Sequence, residues 1–498
     1  LVASRTATQG GGEAVNLSTP WIDQSQTYTS HPSNQVFLRE YTSTPTGPQD
    51  TGRLQDSATG GYVSNWGEVK AQAAAALGIM LVDTDVFNAP LILTDEFGNF
   101  LPGPNGFPQI VLTGGVTVEG NPAAPVQIPA NAVRTGHAFL VDIAHAANPA
   151  NPGYDIALLN QHFVSGDGQA NENIGVTAFS TLFHAEHNRL VSEIDAIVSD
   201  SPALTAGFGA PGWTRGQRLF QAARFVNEME YQHAVYEEYA RTVVPAVRPF
   251  AAYDPTLQPD VTAEFAHAVG RFGHSMLREN IQRTRLNGND DSRSLAQSFL
   301  NPNAFSSGYP DAAAAAGSIA RGMNAQAGSE IDEFITSTLR NGLLGLPLDL
   351  ATLDIVRGRD TQVASLNQTR TALGLNPYSS WADFALSLRH PESVINVIAA
   401  YGNDPSLQAE TTITGRRAAA MVLLNDPAFL NGSSGLNEVD LWMGGLAEQR
   451  QPMNGDLLGS TFTRIFQTTL ENLQEGDRFF YLDRLAGTNL LTSIETNQ

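Results

Sequence analysis

The sequence has no cysteine, and this absence excludes disulfide bonds, thiolate ligands to a metal and iron–sulfur clusters. Lysine is almost as scarce, because Lys70 is the single one and arginine supplies the other basic side chains. Arginine stays charged and binds carboxylates in a bidentate geometry, which suits fixed ion pairs. No apolar run of about 18 residues occurs, so no membrane-spanning helix is predicted.

Positive charge is also scarce relative to negative charge. The 28 basic residues stand against 50 acidic ones, which leaves a formal net charge of −22. Nucleic-acid binding through a basic surface is therefore not expected, whereas attraction of cations is. The 498 residues start at Leu1, without an initiating methionine or a signal peptide. We therefore expect a processed product or a piece of a longer parent chain.

The patterning of the chain predicts a mainly α fold. Polar residues 1–60 indicate loop or extended structure, and turn signals between short apolar runs over 61–135 predict short strands with one helix near 67–77. Apolar residues then recur at helical spacing. The predicted helices are 176–197, 215–242, 262–280, 312–327, 329–341, 391–401 and 462–473. The predicted buried face of the first comprises Val176, Phe179, Phe183, Leu190, Ile194 and Ile197. We expect an N-terminal segment over 1–30, a strand-and-loop elaboration over 31–160 and a helical core over 161–498.

Four segments carry the chemistry. Residues 271–276 contain His274, and Asp354 follows it eighty residues later. The polar segment 166–173 and the helical run 181–190 lie upstream. In this order and at these spacings, the four segments resemble the haem site of the animal-type haem peroxidases (the peroxidase–cyclooxygenase superfamily). Further matches at 440–445 and 476–479 extend the resemblance to most of 160–485.

The resemblance identifies His274 as the proximal ligand to haem iron. Asp354 falls where the family usually has an asparagine, which accepts a hydrogen bond from the other ring nitrogen of the ligand. A carboxylate there gives the imidazole imidazolate character and lowers the reduction potential of the iron. The residues alone also allow a second interpretation, in which His274 is a core histidine whose ring nitrogens are hydrogen-bonded within the protein. His267 lies seven residues earlier and is predicted to share one helix face with His274.

Three further residues match cofactor-binding positions of the family. Arg271 and Arg357 match residues that hold the haem propionates, since buried guanidinium groups need anionic partners; ordinary internal salt bridges are the alternative. Glu172 matches a glutamate that forms an ester to a haem methyl group in some members. Mere proximity to the haem, or a solvated loop carboxylate, are the alternatives for Glu172. The expected cofactor is haem b.

Gln169 departs from the family pattern. The family has an arginine there, on the peroxide side of the haem, whose charge helps to break the O–O bond. Glutamine still donates a hydrogen bond but carries no charge. Loss of one preorganised donor costs roughly 10²–10³ in rate. We therefore identify Gln169 as the catalytic residue of this side and expect impaired or redirected chemistry.

A second metal site is expected near the start of the chain. Thr19, Trp21, Asp23 and Ser25 match the calcium loop of the family, which reads Thr-x-aromatic-x-Asp-x-Ser. Hydroxyl, carboxylate and backbone carbonyl oxygens at alternate positions suit the preference of Ca²⁺ for hard oxygen ligands. An Asx- or Ser-type turn is the alternative reading.

The distal histidine of the family, the general base for peroxide, precedes this calcium loop. Only 18 residues precede Thr19, and none of them is histidine, so we expect the distal helix to belong to an absent part of the parent chain. His137 and His145, in a stretch predicted to be helical, remain candidates for the base, although chain order argues against both. His184 and His187, three residues apart on a predicted helix, are predicted to support the pocket structurally, and a metal site is the alternative for them.

These observations predict a bacterial haem peroxidase, secreted or at the cell surface, which reduces hydrogen peroxide and oxidises a small donor. Ca²⁺ is expected as a second cofactor. One alternative is a haem-poor or haem-free module of the same fold within a larger exported protein. Another is a fatty-acid dioxygenase of the cyclooxygenase-like branch, which needs a radical-forming tyrosine such as Tyr231, Tyr236 or Tyr239.

Overall fold

A computed structural model describes residues 15–16, 21–58, 63–208, 212–451 and 454–488. The fold is mainly α, as the sequence predicts. The helices are α1 (Ser25–Tyr28), α2 (Pro32–Leu38), α3 (Trp66–Gln72), α4 (Ile156–Leu159), α5 (Ile174–Asp200), α6 (Pro202–Phe208), α7 (Arg215–His233), α8 (Arg241–Val243), α9 (Ala263–His267), α10 (Gly273–Met276), α11 (Leu295–Ser298), α12 (Pro302–Ser306), α13 (Ala312–Ala325), α14 (Ser337–Asn341), α15 (Leu350–Asp360), α16 (Leu366–Ala372), α17 (Trp381–Leu386), α18 (Val394–Tyr401), α19 (Pro405–Gln408), α20 (Ile413–Leu423), α21 (Pro427–Leu430), α22 (Leu441–Ala447), α23 (Ser460–Glu475) and α24 (Tyr481–Thr488).

The strands are short and pair in twos. They are β1 (Arg39–Thr44), β2 (Gly47–Leu54), β3 (Ile79–Met80), β4 (Gln109–Val111), β5 (Thr117–Glu119), β6 (Val126–Gln127), β7 (Asn280–Ile281) and β8 (Arg293–Ser294). Strands β1 and β2, β4 and β5, and β7 and β8 are antiparallel pairs, whereas β3 and β6 are parallel. No helix in the described ranges is long and apolar enough to cross a membrane.

The chain divides into two compact units. The N-terminal unit comprises Asp23–Tyr231 and Glu279–Ala327, and the C-terminal unit comprises Leu1–Ile22, Gln232–Arg278 and Gly328–Gln498. The predicted segment boundaries at residues 30 and 160 do not coincide with these units and stay a prediction.

The core of the N-terminal unit contains a fully buried arginine. Arg39 at the start of β1 donates to Asp50 at 2.8 Å and to Asn99 at 2.7 Å, and its guanidinium carbon lies 3.8 Å from the ring centroid of Phe220. Helix α7 approaches the hairpin closely, because a Cβ on Gly216 would lie 1.7 Å from the Asp50 carbonyl oxygen. Only glycine therefore fits at this contact between α7 and β2.

A buried ion pair organises part of the C-terminal unit. Arg370 of α16 donates to Glu448, just after α22, at 2.8 Å. Glu448 also accepts from the Tyr378 hydroxyl at 2.9 Å and from the Thr461 backbone N–H at 2.8 Å. These extra hydrogen bonds compensate the cost of burying the two charges.

The predicted helix over 262–280 is wrong as one continuous element. Helix α9 ends at His267, Ala268 adopts φ −128° and ψ −71°, a 3₁₀ turn covers Val269–Arg271, and α10 then begins. The Nε of Arg271 donates back to the Ala266 carbonyl at 3.1 Å, a side-chain contact that helical periodicity does not include. His267 and His274 therefore lie on separate segments rather than on one helix face.

Three other local predictions are wrong. Within 329–341 only α14 is helical, since the Asp332 carboxylate accepts the Phe334 N–H at 2.9 Å in a turn that competes with a helix. The stretch 136–145 is not helical, and only a 3₁₀ turn begins at His145. Residues 1–60 were expected to lack helix, but α2 forms with Pro32 in its first turn and with the His31 ring capping the Ser33 N–H.

The buried side of α5 differs from the predicted apolar face. Phe179 and Ile197 are 44% and 61% exposed. The side chains of α5 that are buried include several polar ones, namely Thr177, Thr181, His184, His187 and Asn188. Asn188 shows why, because its side-chain amide bonds to both the N–H and the carbonyl of Leu54 in β2, at 2.8 and 3.0 Å. Helix α5 thus fixes the hairpin through hydrogen bonds.

Candidate functional site

His274 and Asp354 meet in the C-terminal unit. Asp354 lies on α15, whose first turn is capped by the Asp349 carboxylate, and its own side chain is fully buried. His274 Nδ1 donates to Asp354 Oδ2 at 2.6 Å, since a carboxylate only accepts. The Nε2 of His274 makes no hydrogen bond within the described ranges, and the side chain is 27% exposed. One ring nitrogen is therefore fixed, and the other is free to bind a metal.

Two arginines stand close to this pair. Arg271 Nη1 donates to Asp354 Oδ1 at 3.2 Å. Burial lowers the pKa of Arg271. The carboxylate of Asp354 raises this pKa, and the charge of Arg357 lowers it. Arg357, one turn after Asp354 on α15, forms no ion pair in the part of the chain that the structure describes. Of the two arginines, Arg271 pairs with Asp354, while the charge of Arg357 lies close enough to lower the pKa of Arg271. The excess positive charge fits an anionic group such as a haem propionate.

Gln169 and Glu172 lie in the N-terminal unit, immediately before α5. Both side chains are exposed, and the Glu172 N–H donates to the Gln169 carbonyl at 3.1 Å. Asn173 caps α5 by accepting from the Gly175 and Val176 N–H groups at 2.9 and 3.2 Å. The structure therefore places Gln169 and Glu172 together at the start of α5, and their assignment to the haem edge stays a prediction.

Asp142, which the sequence analysis did not identify, is hydrogen-bonded to the segment that contains Gln169 and Glu172. Asp142 Oδ2 accepts from the Asn171 N–H at 2.5 Å, and its Oδ1 is buried without a partner among the described residues. Burial raises the pKa of the Asp142 carboxyl to about 7, and the nearby charge of Glu172 adds to this rise. The hydrogen bonds from Asn171 lower the pKa and so oppose it. The only signal in the sequence is a lone aspartate between Val141 and Ile143.

The predicted calcium ligands are only partly described. Thr19 lies outside the described residues, and Trp21 has a 43% exposed side chain. Asp23 and Ser25 lie at the start of the N-terminal unit, where Asp23 Oδ1 is buried without a hydrogen-bond partner in the described chain. Burial raises the pKa of Asp23, Arg224 lowers it and Glu228 raises it. A buried carboxylate oxygen of this kind is a suitable ligand for Ca²⁺.

The other histidines singled out by sequence lie in the N-terminal unit. His137 is exposed, with its ring centroid 5.0 Å from that of His31, and His145 is exposed on its 3₁₀ turn. His184 Nε2 lies 2.9 Å from the Asp56 carboxylate. His187 is fully buried and bonds through both ring nitrogens, to the Tyr28 hydroxyl at 2.9 Å and to the Gly52 carbonyl at 3.0 Å. His187 therefore has no nitrogen left for a metal.

The three candidate tyrosines differ in exposure. Tyr236 is buried, with 1% of its surface exposed, whereas Tyr239 is 51% exposed; both are in the C-terminal unit. Tyr231 ends the first segment of the N-terminal unit, and its ring centroid lies 5.3 Å from that of Phe183. These positions leave the radical role of all three as a prediction.

Comparisons with known proteins bear on the identity of this site. Peroxinectin A of Dictyostelium discoideum is 26% identical over 328 residues, covering 65% of this chain and 51% of the relative. Thyroid peroxidase of Sus scrofa is 28% identical over 361 residues, covering 70% of this chain and 34% of the relative. The chain thus spans about half or less of the length of these relatives.

A solved structure, peroxidase A from Dictyostelium discoideum, shares the fold, with a TM-score of 0.56 and 21% identity, and it covers 96% of this chain and 68% of its own. The sequence model of the animal haem peroxidase family matches residues 142–407 and 434–495, which include His274, Asp354 and both arginines. Because this match takes in more than half of the sequence, the chain belongs to the animal haem peroxidase family.

Proposed function

We propose that this chain is the haem-binding part of a peroxidase that reduces hydrogen peroxide and oxidises a small donor. The observation that carries the proposal is the His274 ring, whose Nδ1 is held by Asp354 at 2.6 Å while its Nε2 stays free. This is the arrangement that a histidine ligand needs, because the hydrogen bond fixes the tautomer and the ring orientation. Family membership supports haem as the group that it binds.

Each residue of the set has a separate task in this proposal. His274 binds iron through Nε2, and Asp354 orients the ring and accepts its Nδ1 proton. Arg271 and Arg357 hold the propionates, for which their excess positive charge is suited. Haem supplies the redox centre for the reaction with peroxide. The protein determines how basic the proximal ring is.

The carboxylate of Asp354 distinguishes this chain from the asparagine that the family resemblance implies. A buried carboxylate attracts the Nδ1 proton more strongly than an amide oxygen does, so the imidazole becomes a stronger electron donor to iron. Oxidised iron is thereby stabilised, and we expect a lower reduction potential than an asparagine would give.

We also propose that calcium binds near the start of the N-terminal unit. The buried, unpartnered Oδ1 of Asp23 supports the proposal, and the predicted set adds Ser25, Thr19 and the Trp21 carbonyl. A net charge of −22 favours cationic ligands and donors such as Mn²⁺ over anions. Export to the cell surface of a bacterium, and assembly with other parts of a longer parent chain, belong to the same proposal.

A second candidate function is a catalytically impaired module of the same fold. Gln169 favours it, because glutamine replaces the charged arginine that the family resemblance places on the peroxide side. An ester bond between Glu172 and the haem forms only where peroxide chemistry works. A covalent bond to Glu172 in the protein purified from its natural host would therefore count against the impaired module.

The proposal is tested by adding haem to the purified chain in the presence of calcium and recording the absorption spectrum. We expect a histidine-ligated Soret band that His274→Ala removes. His390→Ala is the matched control, since His390 lies in the same unit, is 26% exposed and contacts the Asp332 carboxylate at 3.3 Å. A Soret band that survives His274→Ala but not His390→Ala would overturn the assignment. Peroxide turnover by the haem-loaded chain then separates the active peroxidase from the impaired module.

A further inference from the structure

A small cavity of about 10 Å³ adjoins Asp354 in the C-terminal unit. Its lining includes His267 at the end of α9, Gly358 of α15, Val363 and Trp442 of α22. Roughly 10–15 Å³ open to the centre of a water molecule is enough for a cavity to hold one. The cavity therefore brings residues from three helices to the carboxylate that holds the proximal histidine.

Two polar atoms of the cavity residues are buried without a hydrogen-bond partner among the described residues, namely His267 Nδ1 and Trp442 Nε1. The indole N–H of Trp442 only donates, whereas a ring nitrogen of neutral histidine can accept. A buried polar group left unpaired costs about 1–3 kcal/mol. One donor and one acceptor thus need a partner beside the same cavity.

The carboxylate oxygens of Asp354 can each accept a further hydrogen bond. Its Oδ1 accepts from Arg271 at 3.2 Å and its Oδ2 accepts from His274 at 2.6 Å. Each carboxylate oxygen can accept about two hydrogen bonds, so each keeps a free lone pair. A water molecule complements this set, because it can donate two hydrogen bonds and accept the one that the Trp442 indole N–H offers.

We propose that one ordered water in this cavity accepts the Trp442 indole N–H and donates to Asp354 and to His267 Nδ1. Three hydrogen bonds are the usual number for a buried water. Trp442 and His267 are then positioning residues for the proximal pair, acting on His274 through the water and Asp354. The effect on iron rests on the proposed function, whereas the water itself does not.

The water has a direct consequence for His274. A hydrogen bond donated to Asp354 withdraws electron density from the carboxylate, which then attracts the His274 Nδ1 proton less strongly. The network therefore moderates the imidazolate character that the 2.6 Å contact confers. Removing the water should strengthen the electron donation of His274 and lower the reduction potential of bound haem.

Two variants disrupt this network by different routes. Trp442→Phe deletes the N–H donor and keeps an aromatic ring. Gly358→Ala fills the cavity, since the new Cβ would meet only the Val363 Cβ, at 3.9 Å, an ordinary contact with another lining residue. Gly317→Ala in α13 is the control for the effect of alanine on helix stability, because its Cβ approaches only the flexible end of Arg321.

The haem-free protein gives the first measurement, a high-resolution crystal structure. We expect one water within hydrogen-bond distance of Trp442 Nε1 and Asp354 in the wild type, and none in Gly358→Ala. The inference is overturned if the wild-type cavity is dry or if Trp442 Nε1 bonds directly to a protein atom. This measurement needs no haem, so it stands apart from the proposed function.

The haem-loaded protein gives the second measurement, the midpoint potential together with the iron–histidine stretching frequency. Trp442→Phe and Gly358→Ala should lower the potential and raise the frequency, whereas Gly317→Ala should change neither. Unchanged values in both variants, with haem still bound, would overturn the inference and leave the proposed function intact. Loss of haem binding in the wild type would overturn the proposed function instead.

Discussion

His187 in the N-terminal unit and His274 in the C-terminal unit are held in opposite ways. His187 is fully buried, and both of its nitrogens are used, Nδ1 by the Tyr28 hydroxyl and Nε2 by the Gly52 carbonyl. Burial lowers the pKa of His187 to about 3, so its ring stays neutral. His274 uses only Nδ1, and its side chain remains 27% exposed.

Under the proposed function, this difference separates a structural histidine, His187, from a candidate ligand, His274. A ring with two protein partners stabilises the packing between α5 and the β1–β2 hairpin, and binding a metal would cost one of these hydrogen bonds. A ring with one carboxylate partner and one free nitrogen contributes less to the fold and can bind iron. The two residues should therefore respond to substitution in opposite ways.

The largest effect expected is on folding, from His187→Ala. The substitution leaves a buried cavity and removes the His187 bonds to the Tyr28 hydroxyl and to the Gly52 carbonyl, so the free energy of unfolding should fall by about 3–5 kcal/mol. His274→Ala should cost less, about 1–3 kcal/mol in the haem-free protein, since the ring is 27% exposed and the main loss is the hydrogen bond to the buried Asp354 carboxylate. Urea unfolding of the two variants measures both. Equal losses would remove the distinction between the two histidines.

The second prediction is that calcium stabilises the N-terminal unit. Calcium at 100 times its dissociation constant should raise the free energy of unfolding by about 2.7 kcal/mol, and Asp23→Ala should remove this gain. Thermal unfolding with added calcium or chelator measures the effect, and magnesium is the control, because it demands a tighter octahedral site. Calcium stabilisation that persists in Asp23→Ala would contradict the assignment.

Asp354→Asn sharpens the comparison within the C-terminal unit. The amide still accepts from His274 Nδ1 but carries no charge, so the reduction potential of bound haem should rise. Affinity for haem should fall about 10–100-fold, the usual effect of changing a partner of a metal ligand. Asp332→Asn, at the carboxylate that contacts His390 at 3.3 Å, is the control. A lower potential in Asp354→Asn would show that the carboxylate does not act through His274.

The smallest effect expected concerns the pH dependence of stability at Asp142. Its pKa is raised from 3.8 to about 7 in the folded chain, mainly by burial. Between these two pKa values the carboxyl of the folded protein stays protonated, whereas that of the unfolded chain ionises. The contribution of Asp142 to the free energy of unfolding is therefore fully present below pH 4 and is lost as the pH rises through 7. Asp142→Asn should gain about 1.4 kcal/mol relative to wild type between pH 5 and pH 6, since each pH unit between the two pKa values is worth about that much. Urea unfolding at both pH values measures it, and a difference that does not change with pH would contradict the raised pKa.

The candidate pair was accessible to sequence reasoning because motifs carry it. A proximal histidine needs a hydrogen-bond acceptor for its second nitrogen, and the match at Asp354 supplied one despite eighty intervening residues. The structure places the two groups 2.6 Å apart. Trp442 lies in the matched segment 440–445, but the match assigns it no role. For Asp142 and for the unpaired nitrogens of His267 and Trp442, only burial shows that they are unusual.

Helical periodicity failed where tertiary hydrogen bonds outweigh apolar packing. The rule that buried faces are apolar predicted Phe179 and Ile197 inside, whereas α5 buries Asn188 and His187 because they bond to the β2 backbone. The break at Ala268 has a similar cause, since Arg271 bonds back to a carbonyl inside α9. The first kind of contact joins residues that are distant in sequence, and the second is a side chain bonding to a backbone carbonyl of the helix. Neither leaves a periodic pattern in the sequence.

The most direct test of the account is chemical rescue of His274→Gly with free imidazole. The cavity left by the ring keeps Asp354 as the acceptor, so imidazole should bind there and restore the histidine-type Soret band that the variant has lost. Both the loss and the rescue should be visible in one titration of the haem-containing protein. A wild-type spectrum of His274→Gly before any imidazole is added would contradict the claim that His274 is the iron ligand.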